Sequence, residues 1–90
     1  MVKKGDILQI PQWVNNDRLI YFAEVTYVNK DMHPNSKVEF KYLNRTDRGW
    51  GYMRISKLKR NLNNGIVTIL GDKQFVHLHQ FPHFKHKFLD

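Results

Sequence analysis

SKVEFKYLNRTDRGWGYMRISKL, Ser36 to Leu58, is the stretch that decides the fold, because its two arms check each other as a β-hairpin. In the first arm Val38, Phe40 and Tyr42 alternate with Glu39, Lys41 and Leu43. In the second, Gly51, Met53 and Ile55 alternate with Trp50, Tyr52 and Arg54. Successive side chains on a strand point to opposite faces, so this alternation marks one buried and one outer face. Setting Phe40 opposite Met53 brings Val38 to Ile55 and Tyr42 to Gly51 on the inner face. The same register sets Glu39 against Arg54 and Lys41 against Tyr52 outside, an ion pair and a cation–π pair. Asn44 to Gly49, rich in turn formers, closes the loop.

Toward the N-terminus, Leu19 to Asn29 is the longest β-rich run, with Leu19, Tyr21, Ala23, Val25 and Tyr27 on one face. Glu24 and Thr26 mark its other face as at least half solvated, and a bulge is expected near Ala23. Pro11 to Arg18 reads as a polar loop carrying Trp13. Lys4 to Ile10 is a short first strand that Pro11 ends, since proline cannot donate to a ladder. Lys30 to Asn35 is a loop, with Pro34 forbidding a regular strand.

Toward the C-terminus, Ile55, Leu58 and Leu62 recur at helical spacing, with Ser56 as the expected cap and Gly65 as the stop. Ile66 to Leu70 and Gln74 to Gln80 read as two more strands joined by Gly71-Asp72-Lys73. Phe81 to Asp90 alternates aromatic with basic residues. The chain therefore divides into a barrel domain over 1–80 and a basic, aromatic C-terminal tail over 81–90.

The 90 residues suffice for one small core, and a chain this short buries only about 60–65% of its unfolded surface. A hydrophobic fraction of 41%, with 13% aromatics, argues for a folded module rather than a disordered one. Cysteine is absent, which excludes disulfides and thiolate zinc sites. No apolar run is long enough to span a membrane, and no leader pattern opens the chain, so the expected address is cytoplasmic, without membrane partners. Fifteen Lys and Arg against eight Asp and Glu give a net charge of +7, which attracts polyanions and steers association.

The order of features resembles SH3-like small β-barrels of the KOW and Tudor kind. Gly5-Asp6-Ile7 matches the start of their first strand and Ala23-Glu24-Val25 their long second one. Val38-Glu39-Phe40 and Tyr52-Met53-Arg54 match the next two, and Ser56-Lys57-Leu58 the helical turn with its leucine. The resemblance covers roughly residues 4 to 70 and implies a fold: an all-β, SH3-like small barrel of five to six strands with one short helical turn and a C-terminal extension. No acidic residue completes a Tudor-like cation cage, so the resemblance does not extend to methyl-lysine binding.

Two clusters point to chemistry. Lys41, Trp50, Tyr52 and Arg54 share the outer hairpin face, and Lys57, Lys59 and Arg60 form the densest basic run beside it. Aromatic rings that stack on bases, set among cations that hold phosphates, suit single-stranded nucleic acid. The same residues suit an acidic protein surface, as in a small bacterial or phage accessory or inhibitory factor. A third reading is self-association through the tail. His77, His79, His83 and His86 have ligand-like spacing, yet no Cys and no acid accompanies them from Gln74 to Leu89, so no metal or cofactor is expected. Ser36 and Ser56, the only serines, lie in no glycine-rich elbow, and no phosphate loop is present. The expected activity is noncatalytic binding.

Overall fold

Asp6–Val14 (β1) and Asp17–Val28 (β2) form the long hairpin at the centre of the protein, whose computed structural model describes residues 1–80. Asn15 and Asn16 turn the chain with φ of 50° and 69°. Positive φ at both central residues is what a type I′ hairpin requires, and asparagine tolerates it best after glycine. The expected polar loop at 11–18 is therefore strand and turn, and Trp13 stands out from it, 73% exposed. Pro11 does not end β1. It pairs with Ile20 of β2, while the ladder to Thr68–Asp72 (β5) stops at Gln9. At Pro11 the strand has one neighbour only, so the missing N–H breaks no second ladder.

β2 lies between β1 and Lys37–Tyr42 (β3), and Trp50–Arg54 (β4) flanks β3. The result is a five-stranded antiparallel sheet in the order β4-β3-β2-β1-β5, left open between its two edge strands. With the helix Ile55–Asn63 (α1) and a 3₁₀ turn at Leu78–Gln80, the protein is a small all-β domain. The second expected C-terminal strand, Gln74–Gln80, does not form. Asp72 captures the chain instead: its Oδ1 accepts from the Gln74 N–H at 2.9 Å, and its carbonyl accepts from Phe75 and Val76.

Both faces of β2 are buried near its middle. Tyr21, Ala23 and Val25 join Leu8, Ile10, Val38, Phe40, Tyr42, Ile55, Leu58 and Val67 in the main core. Ile20 and Phe22 form a second cluster with Ile7, covered by Leu43, Leu70, Val76 and Leu78. A central strand covered on both sides reads as a continuous apolar run, which explains Leu19 to Ala23 better than a half-solvated strand does. The bulge lies at Thr26, not Ala23, because β2 advances from Val25 to Tyr27 while β3 advances only from Phe40 to Glu39. That extra residue turns Tyr27 to the outer face, where it is 50% exposed.

The hairpin faces are as expected, but the register differs by two residues. Val38 pairs with Met53, Phe40 with Gly51, Glu39 with Tyr52, Lys41 with Trp50, and Lys37 with Arg54. The Phe40 and Tyr42 rings crowd the position that a Cβ on residue 51 would take, with Phe40 Cε1 only 3.0 Å and Tyr42 Cε2 3.2 Å from it. Glycine accepts that approach without either ring having to shift. Ile55 accordingly leaves the ladder and opens α1. Ser56 does not cap this helix. The N–H groups of Ile55 and Ser56 donate to the carbonyls of Ser36 and Pro34 at 2.9 and 3.0 Å, so the preceding loop closes its start. At the other end Asn64 is the C-cap and Gly65, at φ 78°, leaves the helix, as expected. The 81–90 tail, with His83, His86 and any pairing of copies through it, falls outside the described residues.

Candidate functional site

The outward positions of the hairpin continue past the strands. Arg48, Trp50, Tyr52 and Arg54 fall on one parity, and Lys37, Glu39 and Lys41 face them from β3. Trp50 is 59% exposed and Tyr52 46%. Where β4 runs into α1, Arg48, Tyr52, Met53, Arg54, Ser56, Lys57 and Arg60 enclose an open depression of about 500 Å³. Lys57 and Arg60 reach it together because residues three apart share a helix face. Asn61 ties α1 to β4 through an Nδ2 bond of 3.8 Å to Met53 Sδ, and Arg54 Nη1 donates to the Asn35 carbonyl at 2.8 Å.

A smaller depression of about 120 Å³ lies on the other side of Tyr52, lined by Lys37, Glu39, Trp50 and Tyr52. Lys37 Nζ sits 4.4 Å from the Tyr52 ring centroid. The cation–π partner of Tyr52 is thus Lys37, diagonal to it in the ladder, and not Lys41, which pairs with Trp50. Nor does Glu39 face Arg54, so the expected ion pair is not made. Of the seven residues singled out from sequence, Tyr52, Arg54, Lys57 and Arg60 meet in the larger depression and Trp50 in the smaller. Lys41 and Lys59 are exposed but line neither. Arg48, Lys37 and Glu39 were not singled out. Extending the outward parity up to two residues beyond each strand's hydrophobic segment finds Lys37 and Arg48, whereas Glu39 was already on the outer face and was read only as a partner of Arg54.

Charge is distributed unevenly. Lys3 lies between Asp6 and Asp72 at 3.4 and 3.5 Å, and Lys73 pairs with Glu24 at 2.9 Å. Arg45 grips Asp47 at 2.7 Å and stacks its guanidinium on the rings of Tyr21 and Tyr42. That bond holds the Asp47 carboxyl below the usual carboxylate range and raises Arg45 further. Asp72 is also lowered, first by the Gln74 N–H and then by the charge of Lys3. Among the described residues no carboxylate comes within ion-pair distance of Arg48, Arg54, Lys57, Lys59 or Arg60. Lys4, Arg18, Lys30, Lys37 and Lys41 are likewise outside the ion pairs, but Arg48, Arg54, Lys57 and Arg60 gather at the β4–α1 depression around an exposed phenol ring.

His77 and His79 lie edge to face with ring centroids 5.8 Å apart, and no group of three potential metal ligands forms among the described residues. No described helix is long and apolar enough to cross a membrane. Comparison with protein-family models, with curated proteins and with solved structures finds no match to this chain.

Proposed function

We propose that this protein is a noncatalytic binding module that holds nucleic acid on the outer face of its β3–β4 hairpin and in the adjoining β4–α1 depression. The observation that carries the reading is the cluster of Arg48, Arg54, Lys57 and Arg60 around Tyr52, without a neutralising carboxylate among the described residues. Guanidinium and ammonium groups hold phosphates, and an exposed ring offers a stacking surface to a base. Lys41 and Lys59 extend the charged margin, and the proposed place of action is the cytoplasm. An SH3-like description of the fold has support from the strand order, an antiparallel meander from β1 to β4 with β5 returning beside β1 after a helix.

The test is binding of single-stranded oligonucleotide, duplex and an acidic protein across a salt series. A stacking platform retains a preference for the single strand as salt rises, because stacking is insensitive to counterions. Equal binding to all three that vanishes with salt would reduce the surface to a general polyanion attractor. Binding to the acidic protein alone would make this an interaction factor.

A further inference from the structure

Building on the nucleic-acid reading, we infer that the smaller depression is a base-recognition pocket selective for guanine in a single strand. Four features of this surface carry the inference. Trp50 and Tyr52, two residues apart on β4, flank the depression with exposed rings. Such positions are about 6.5–7 Å apart along a strand. Stacked bases rise by about 3.4 Å, so neighbouring bases meet both rings only when unstacked from one another. A duplex cannot present them so.

Second, the bulge at Thr26 brings Tyr27 into line with Glu39 and Tyr52, making one row across three strands. Glu39 is therefore walled by two tyrosines. Third, Glu39 is a half-buried residue, yet among the described residues its carboxylate makes no ion pair and no side-chain hydrogen bond. An ionised carboxylate without a partner is a strong acceptor open to a donor. Fourth, Lys37 lines the same depression, held over the Tyr52 ring rather than against Glu39.

The pocket thus offers a donor-only ammonium beside an acceptor-only carboxylate. Guanine matches that pair most fully. Its edge carries the O6 acceptor beside the N1–H and exocyclic N2–H donors, so both carboxylate oxygens are used while Lys37 takes O6. Cytosine and adenine give the carboxylate one amino group, and thymine or uracil gives one N–H between two carbonyls that the carboxylate repels. The volume of about 120 Å³ suits one ring system, not a stretch of strand.

The experiment measures fluorescence-anisotropy affinities of the full chain for a labelled oligothymidylate and for the same strand carrying one central guanine, cytosine or adenine. The guanine strand binds about 5- to 10-fold tighter than the all-thymine strand, the lower part of the range for a good base-edge pair. Glu39→Gln removes that preference and leaves oligothymidylate affinity equal to or above the parent's, since one negative charge is gone. Lys37→Met weakens binding of the guanine strand more than of the all-thymine strand. Equal affinities of the parent for all four strands would overturn the pocket and leave the nucleic-acid reading standing. A guanine preference retained in Glu39→Gln would overturn it as well. If no strand binds at low salt, both inferences fall.

Discussion

Asn44 holds backbone of β2 through its side chain alone. It is fully buried, and its side chain continues the sheet where β3 has ended: Oδ1 accepts from the Phe22 N–H at 2.7 Å and Nδ2 donates to the Ile20 carbonyl at 2.9 Å. One amide thus stands in for a peptide unit of the neighbouring strand. Asn44→Ala removes both bonds at a buried site and costs about 2–4 kcal/mol, as for other buried polar groups that lose their partners. Asn44→Asp separates hydrogen bonding from charge. A carboxyl here resists ionisation, so its folded-state value rises above the unfolded one, and the variant is most stable below that unfolded value and weakens as pH rises. Denaturant melts at low and neutral pH check this, and a pH-independent loss would contradict it. Phe40 makes the simpler case. It is buried over Gly51, and Phe40→Ala costs about 3–5 kcal/mol in the same assay, whereas a loss within about 1 kcal/mol would remove it from the core. Neither the role of Asn44 nor its partner strand is visible in the sequence, where it is one of several turn formers.

The hairpin shows how far periodicity reaches at the scale of elements. Alternation tells which side chains share a face, and Val38, Phe40, Tyr42 and Gly51 are all buried as that reading requires. It does not distinguish registers that differ by two, because both keep every side chain on its side. The choice was made by Gly51, which admits the Phe40 ring, and by Leu43 and Asn44, which bond back to β2 and so delay the start of β4. The site inherited the error. Lys37, not Lys41, meets Tyr52, and Tyr27 changed face through a bulge that no propensity marks. The β1–β2 turn was the larger omission, although Asn15-Asn16 is a recognisable hairpin signal. At Asn16, with φ 69°, alanine is strained and costs about 1–2 kcal/mol, while Asn16→Gly leaves stability at or above the parent's. Thermal melts of the two variants decide it, and an equal loss in both would mean that the asparagine side chain, not its backbone, is what the turn needs.

Across the whole molecule a few carboxylates are tied to cations, and those ties bear on stability. Asp47 and Asp72 bind protons less readily in the folded chain than in the unfolded one. Their stabilisation is therefore present above the unfolded carboxylate range, about pH 4, and is lost as pH falls through their lowered folded values. Melting temperatures of the parent and of Asp47→Asn/Asp72→Asn should differ at about pH 7 and converge at about pH 2–3. A constant difference would assign the loss to packing. Four of the cations outside those pairs, Arg48, Arg54, Lys57 and Arg60, gather at the β4–α1 depression, and the proposal rests on that cluster acting as a site rather than as general charge. Lys57→Ala/Arg60→Ala removes two charges from the β4–α1 depression. Lys3→Ala/Lys73→Ala removes two that are held by carboxylates near the opposite, β5 edge. The direct measurement is the slope of log K against log salt for a single-stranded oligonucleotide with each double variant. The slope should shrink by about 1.4 for the first, roughly 0.7 for each lost phosphate contact, and stay at the parent's value for the second. Equal shrinkage in both variants, or none in either, would contradict a nucleic-acid site at the β4–α1 depression.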